Sequence, residues 1–116
     1  MPYNRGDVVL VLFPNTNMST AKRRPALVIQ ADNLSSGLPQ TILAMITSNM
    51  FRSGHQSRIT VLQNSPEGRT AGILSDSIIM ADNLVTVLDK EIDRTIGVIK
   101  DMTLVDEALK HTLSLV

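Results

Sequence analysis

The sequence predicts a β-rich α+β domain, built as a small, strongly bent barrel or sheet with one helix at its C-terminal end. Short apolar runs recur along most of the 116 residues, and polar turn signals separate them at short intervals. The hydrophobic period changes to that of a helix only near the end of the chain. With 43% hydrophobic and 19% charged residues, the chain can enclose one core, so we expect a single domain over residues 1–116.

The first two predicted strands are apolar segments bounded by proline and polar turns. Residues 7–13, DVVLVLF, are apolar on both faces, as in a strand that is covered on both sides. A proline ends this strand because it cannot donate to a ladder, and the polar residues 15–22 are predicted to form a loop. Residues 24–31, RPALVIQA, form the second predicted strand, with Pro25 at its start, where a missing N–H is tolerated.

The middle of the chain predicts further strands. Residues 40–48, QTILAMITS, form the third predicted strand, and residues 58–63, RITVLQ, alternate as a half-exposed strand does. The polar segment 64–72, NSPEGRTAG, is interpreted as a turn. Residues 73–88 are predicted to hold one or two strands, and residues 94–100 one more.

The C-terminal segment, residues 103–116, is the one predicted helix. Its apolar residues recur at helical spacing from Leu104 to Val116. Thr103 and Asp106 occupy positions that resemble a capping box at the start of this helix.

Composition excludes several classes of function. There is no cysteine, so disulfides, thiolate chemistry and cysteine-type zinc sites are excluded. The first apolar run is short and adjoins Asp7, which is unlike a signal peptide, and no run approaches the length of a membrane span. We therefore expect a cytoplasmic protein without membrane contact.

Charge is distributed unevenly although the net charge is zero. Residues 1–70 contain seven Lys or Arg and three Asp or Glu, whereas residues 71–116 contain four and eight. This asymmetry favours one basic face able to attract a polyanion such as a nucleic acid.

Three segments together resemble the MazF/PemK family of toxin endoribonucleases: RGDVVLVLFP, KRRPALVIQ and LAMITSN, in this order and spacing. The likeness continues through GILSDSIIMADNLVTVLDKEI, RTIGVIKD and VDEAL, and so covers nearly the whole chain. It implies an SH3-like barrel of the CcdB/PemK type, a homodimer and inhibition by a small antitoxin protein. It also implies cleavage of single-stranded RNA without a metal or another cofactor.

The resemblance assigns catalysis to Arg24, before the strand-opening proline, and to Thr47, at a strand end. A guanidinium is permanently charged and can donate two parallel hydrogen bonds to phosphate oxygens. We therefore expect Arg24 to stabilise the charge that develops when the RNA 2′-hydroxyl attacks the adjacent phosphate. The Thr47 hydroxyl can donate to the same phosphate, and its branched side chain restricts its rotamer. Arg24 is too basic to be a good general base, which leaves that role open.

Other residues are candidates for RNA contact. Lys22 and Arg23 are expected to attract phosphates without reading sequence. Ser48, Asn49 and Arg52, in the loop after the third strand, are expected to line the path of the nucleotides. Each of these residues, taken alone, is equally typical of a solvated loop.

Two aromatic side chains, Phe51 and His55, each allow a functional and a structural interpretation. Phe51 is either an exposed stacking surface for a base or packed inside its own loop. His55 has the side chain best suited to proton transfer near neutral pH, but the family motif does not require a histidine there and a loop histidine is usually only solvated. His111 is expected to be structural and distant from every candidate group, so the two histidines predict no metal site.

Asp82 is an accessory candidate. In the PemK branch an Arg-x-Asp step does acid–base work, and here that step is Met80-Ala81-Asp82, without the arginine. Asp76 and Asp82 are six residues apart and are expected to serve turns rather than to pair as two catalytic carboxylates.

A second hypothesis is a non-catalytic toxin of the same fold that binds and poisons DNA gyrase, in the manner of the CcdB branch. That branch acts through its C-terminal residues. Here the chain ends in the apolar LSLV and has no aromatic tip, which favours the ribonuclease.

Overall fold

The computed structural model describes residues 3–14 and 21–116, so most of the predicted loop 15–22 lies outside the described residues. The described part contains six strands, two α-helices and two short 3₁₀ helices. The strands are β1 (Asp7–Pro14), β2 (Ala21–Val28), β3 (Gln40–Thr47), β4 (Arg58–Val61), β5 (Ser77–Leu88) and β6 (Ile92–Val98). The helices are α1 (Pro66–Ala71) and α2 (Thr103–Leu113), and the 3₁₀ helices are Met50–Arg52 and Asp89–Glu91.

The six strands form one antiparallel sheet in the order β4-β5-β3-β2-β1-β6. Apolar side chains on the two faces of this sheet form two separate clusters. Val8 of β1 belongs to the first cluster, together with Val105 of α2, while Val9 and Val11 belong to the second. All four of these residues are buried. The run 7–13 is therefore apolar at successive positions because both of its faces are covered.

The edge strands β4 and β6 are not joined by hydrogen-bonded pairing within the described residues. Helix α1 lies between these two edges of the sheet. The helix follows β4 and packs directly on β6. A Cβ atom on Gly72 would lie 2.1 Å from the carbonyl oxygen of Ile96, and one on Gly97 would lie 2.3 Å from the carbonyl carbon of Ala71. Glycine at both positions allows the two backbones to touch, so a helix rather than a sixth ladder lies between the two edge strands.

The prediction of a turn over residues 64–72 is wrong, because most of this segment is α1. The Ser65 hydroxyl accepts a hydrogen bond from the Gly68 N–H at 3.0 Å, Pro66 stands in the first helical turn, and Gly72 ends the helix in the left-handed conformation. These are the start and stop signals of a helix, here with only six helical residues between them.

Several predicted boundaries also change. β2 begins at Ala21 and ends at Val28, so Pro25 lies inside the strand, opposite Leu10 of β1, rather than at its start. β4 ends at Val61, two residues before the predicted end. Residues 73–88 hold a single strand, β5, whose pairing with β3 shifts register between Ala44 and Met45.

The predicted C-terminal helix is present as α2, but its predicted capping box is wrong. Asp101, outside the helix, accepts hydrogen bonds from both the N–H and the hydroxyl of Thr103. Asp106 instead forms an ion pair with Arg5, with 2.6 Å between Oδ1 and Nη2. In the described part of the chain, neither helix is both long enough and apolar enough to cross a bilayer.

Candidate functional site

A cleft of about 870 Å³ opens at the end of the sheet where β2 begins and β3 ends. The side chains that line it include five cations and, among the described residues, no carboxylate. The cations are Lys22, Arg23, Arg24, Arg52 and Arg94. A cleft lined by one sign of charge concentrates the opposite sign, so this site suits a polyanion.

Arg24 and Thr47 both line this cleft, and the strand register explains why. The β2–β3 pairing places Ala26 opposite Met45, Leu27 opposite Ala44 and Val28 opposite Leu43. Continuing the same register by two residues places Arg24 opposite Thr47. Residues at opposed positions of adjacent antiparallel strands project from the same face of the sheet.

Pro25 explains why the ladder stops where the cleft begins. The hydrogen-bonded pairing of β2 with β3 reaches only to Ala26, although both strands extend further. Proline has no N–H and cannot contribute a donor at this point. The two strands are therefore free to separate at the level of Arg24 and Thr47, which leaves their side chains accessible.

The Thr47 hydroxyl is oriented by its own loop. Its oxygen accepts a hydrogen bond from the backbone N–H of Asn49 at 3.1 Å. With an acceptor position occupied, the hydroxyl hydrogen is available to donate to a ligand in the cleft. Asn49 itself is not among the cleft residues; it serves the loop, while its neighbour Ser48 lines the cleft.

The 3₁₀ helix Met50–Arg52 carries Arg52 to the cleft. The Asn49 side-chain oxygen accepts from the Phe51 N–H at 3.2 Å at the start of this helix. Arg58 Nη1 donates to the carbonyl oxygen of Arg52 at 3.2 Å at its end. The Arg52 guanidinium lies against the sulfur of Met80, with 3.6 Å between Nη1 and Sδ. Contacts from β4 and β5 thus hold both the backbone and the side chain of Arg52.

Two of the cleft cations share one carboxylate outside the lining. Arg23 Nε lies 2.9 Å from Asp93 Oδ2, and Arg94 Nη1 lies 3.6 Å from the same oxygen. This pairing partly neutralises Arg23 and Arg94, whereas no carboxylate of the described residues pairs with Arg24 or Lys22. Arg94 was missed by the sequence analysis because it belongs to the acidic half of the chain; the β1–β6 pairing, which opposes it to Leu10, brings it into the cleft.

Asp82 does not line the cleft. Its carboxylate forms an ion pair with Arg58, with 2.8 Å between Oδ2 and Nη2. The hydrogen bond from Arg58, reinforced by its charge, lowers the pKa of the Asp82 carboxyl. A carboxylate held in its charged form is a poor proton donor at neutral pH. Asp76 accepts a hydrogen bond from the Gln63 N–H and so serves a turn, as expected. Asp82 lies inside β5, so the expectation that it serves a turn is wrong.

His55 also lies away from the cleft, and the expectation for His111 is wrong. The two imidazole rings meet edge to face with their centroids 6.1 Å apart, in a second groove between β4 and α2. His55 Nδ1 accepts a hydrogen bond from the Ser57 N–H at 3.0 Å. His111 is therefore adjacent to a candidate group, which sequence spacing gave no means to foresee because the contact joins a loop to a distant helix.

The described part of the chain contains no cluster of three or more His, Cys, Asp or Glu residues that could bind a metal ion. The hydrogen-bond donors in the cleft lining are guanidinium, ammonium and hydroxyl groups, together with the side-chain amide of Asn83. These groups bind anions such as phosphate rather than cations.

Solved structures with the same fold include several toxins. The chain matches Mycobacterium tuberculosis toxin MazF-mt6 with a TM-score of 0.73 and 19% identity, over 95% of this chain and 98% of the other. It matches the MazE–MazF structure from Deinococcus radiodurans (Form-II) with a TM-score of 0.73 and 16% identity, over 99% and 96%. A mycobacterial endoribonuclease in complex with its cognate antitoxin matches with a TM-score of 0.72 and 17% identity, over 98% and 97%.

These likenesses confirm the predicted fold class, with the sheet left open between its edge strands. A search of curated proteins finds no match. The model of one protein family, described as the PemK-like, MazF-like toxin of type II toxin–antitoxin systems, matches residues 4–113. The chain therefore belongs to the PemK-like, MazF-like family of toxins from type II toxin–antitoxin systems.

Proposed function

We propose that this protein is a metal-independent endoribonuclease that cleaves single-stranded mRNA at a short preferred sequence. The observation that carries the proposal is that Arg24 and Thr47 line the same cleft, whose described lining contains cations and no carboxylate. A guanidinium and a hydroxyl on one face supply donors to one phosphate, and the remaining cations attract the rest of the RNA backbone.

The proposed reaction is an internal transfer. The RNA 2′-oxygen attacks the adjacent phosphorus, the bond to the 5′-oxygen breaks, and the products carry a 2′,3′-cyclic phosphate and a 5′-hydroxyl. Arg24 donates two N–H groups to the non-bridging oxygens as their charge increases, and Thr47 donates its O–H. The attacking oxygen loses one proton and the leaving oxygen gains one.

The proton acceptor is not assigned to a side chain. The described lining of the cleft contains neither a carboxylate nor an imidazole, and His55 and Asp82 both lie elsewhere. We therefore assign this protein's contribution to alignment and charge stabilisation, with Lys22, Arg23, Ser48, and Arg52 along the RNA path. Asn49 acts by orienting the Thr47 hydroxyl.

The proposal extends to partners. One structure of the same fold is described as an endoribonuclease in complex with its cognate antitoxin, and another as MazE–MazF. We propose a cytoplasmic homodimer that is inhibited by a small antitoxin protein. The family match and these structures give no support to the gyrase-poisoning alternative.

The test is incubation of the purified protein with a long mRNA in the presence of EDTA. Wild-type protein should cut at defined sites and leave 2′,3′-cyclic phosphate ends, and a 2′-deoxy nucleotide at the cut site should block cleavage. Arg24→Ala should lower the cleavage rate by about 10²- to 10³-fold. Arg69→Ala is the matched control, because the Arg69 side chain is exposed, lies outside the cleft lining and, among the described residues, bonds only the Asn64 carbonyl oxygen. Intact RNA with wild-type protein, or equal cutting by both variants, would refute the proposal.

A further inference from the structure

Phe51 is fully exposed, which contradicts the interpretation that it packs inside its own loop. The side chain is 100% accessible, and it is one of only three aromatic residues in the chain. Another, Phe13, is partly buried against the second apolar cluster. An aromatic ring that is wholly exposed to water does not gain the free energy of burial. A ligand that covers the ring would supply this free energy and so explain why an aromatic residue lies at this position.

The backbone that carries this ring is held in place from both sides. The Phe51 N–H donates to the Asn49 side chain, and the Arg52 N–H donates to the Asn49 carbonyl oxygen at 3.1 Å. Arg58 then fixes the Arg52 carbonyl oxygen and is itself paired with Asp82. The ring is therefore presented on an ordered turn, and binding does not have to order its backbone.

The same turn is connected to the cleft at two points. Asn49 donates its N–H to the hydroxyl oxygen of Thr47, and Arg52, the residue after the ring, lines the cleft. Phe51 is thus four residues from the proposed phosphate donor Thr47 and adjacent to a cation. An aromatic face beside phosphate-binding groups is the arrangement that binds a single-stranded nucleic acid, because every base offers a flat face for stacking.

We propose that Phe51 stacks on a base of the bound RNA, within a few nucleotides of the phosphate held by Arg24 and Thr47. This inference rests on the proposed function and adds a specific subsite to it. Other occupants of the exposed ring, namely a second copy of the chain or an antitoxin side chain, are outcomes that the experiments separate.

The first experiment uses fluorescence. The chain contains no tryptophan, so Phe51→Trp introduces a single reporter at this position. The RNA used is an oligoribonucleotide made uncleavable by 2′-deoxy substitution at the cut site. Titration with this RNA should quench the tryptophan emission of Phe51→Trp, and the quenching should follow the binding curve measured separately by the anisotropy of a labelled RNA. Leu34→Trp is the matched control, because Leu34 is 48% exposed in the connection between β2 and β3, at the far end of both strands from the cleft.

Unchanged Phe51→Trp emission at saturating RNA would refute stacking. So would a change that follows protein concentration in the absence of RNA, since a second copy would then cover the ring. An emission change produced by an antitoxin and not by RNA would refute it equally.

The second experiment locates the base. Phe51→Ala should weaken binding of the uncleavable RNA by about 5- to 150-fold, whereas Phe51→Tyr should bind as wild type does. When single abasic nucleotides are placed along the RNA, one position should abolish the difference between wild type and Phe51→Ala. A difference that persists at every abasic position would overturn the inference. If Phe51→Ala cleaves and binds like wild type, only the stacking proposal fails; if wild type neither binds nor cuts RNA, the proposed function fails with it.

Discussion

Replacing Thr47 with valine should lower kcat for RNA cleavage by about 10²- to 10³-fold and leave the fold intact. The hydroxyl oxygen already accepts from the Asn49 N–H, so the group has one hydrogen to direct at the phosphate, and valine removes that donor without changing the shape of the side chain. Loss of one preorganised donor to a developing oxyanion costs roughly 3–4 kcal/mol, which corresponds to the stated factor.

The stability of this variant should change little. Asn49 is exposed, so water can accept from its N–H when the hydroxyl is gone, and the free energy of unfolding should fall by about 1 kcal/mol or less. Thr47→Ser keeps the hydroxyl and loses only the methyl group that restricts its rotamer. It should therefore retain activity within about tenfold of wild type, a factor set by the rotamer penalty.

The assay is single-turnover cleavage of a short oligoribonucleotide that contains one cut site, with thermal unfolding measured in parallel. Thr86→Val is the matched control, since Thr86 is an exposed strand threonine outside the cleft lining. Cleavage by Thr47→Val at the wild-type rate would refute the role of the hydroxyl. Equal damage in Thr47→Ser and Thr47→Val would assign the effect to the loop conformation instead.

Three further predictions concern other parts of the structure. Arg94→Ala should raise KM for RNA without lowering kcat, and it should reduce the salt dependence of binding by about one phosphate contact. Lys100→Ala, outside the cleft lining, should change neither KM nor the salt dependence, which filter binding across salt concentrations measures. Asp82→Asn should remove a contribution to the free energy of unfolding that wild type has above the ordinary aspartate pKa and loses as pH falls through the lowered pKa of Asp82. The stabilities of wild type and variant should therefore converge in acid when unfolding is measured against pH, and a constant difference would contradict the ion pair. Gly97→Ala should destabilise the fold by about 1–3 kcal/mol, because the new methyl group would overlap the Ala71 carbonyl; an unchanged denaturation midpoint would refute the close packing of α1 on β6.

The strands were predictable because their signals are local. The apolar runs of β1 and β3 lie where the structure has strands, since burial on both faces leaves a continuous apolar pattern in the sequence. Helix α1 was missed because its six residues include proline and glycine, which weigh toward a turn unless the capping roles of Ser65 and Gly72 are recognised.

The candidate site was predictable to the extent that it follows strand order. Arg24 and Thr47 line the same cleft because they lie near the same end of the adjacent antiparallel strands β2 and β3, and the resemblance to a family identified both. The surroundings depend on pairings between distant segments. The ion pair of Arg58 with Asp82 and the arrival of Arg94 through the β1–β6 pairing leave no trace in local periodicity.

Pro25 has one more effect, on the residue before it. The proline ring excludes the helical region for Arg24, so the main chain at this residue is restricted to extended conformations even before the protein folds. Less conformational entropy is then lost when this part of β2 is fixed in the β1–β2 ladder on folding. A single ring thus interrupts the ladder and stiffens the anchor of the side chain that the gap exposes. Exchange of Pro25 for another residue should therefore lower the free energy of unfolding through chain entropy, even where every direct contact with RNA survives.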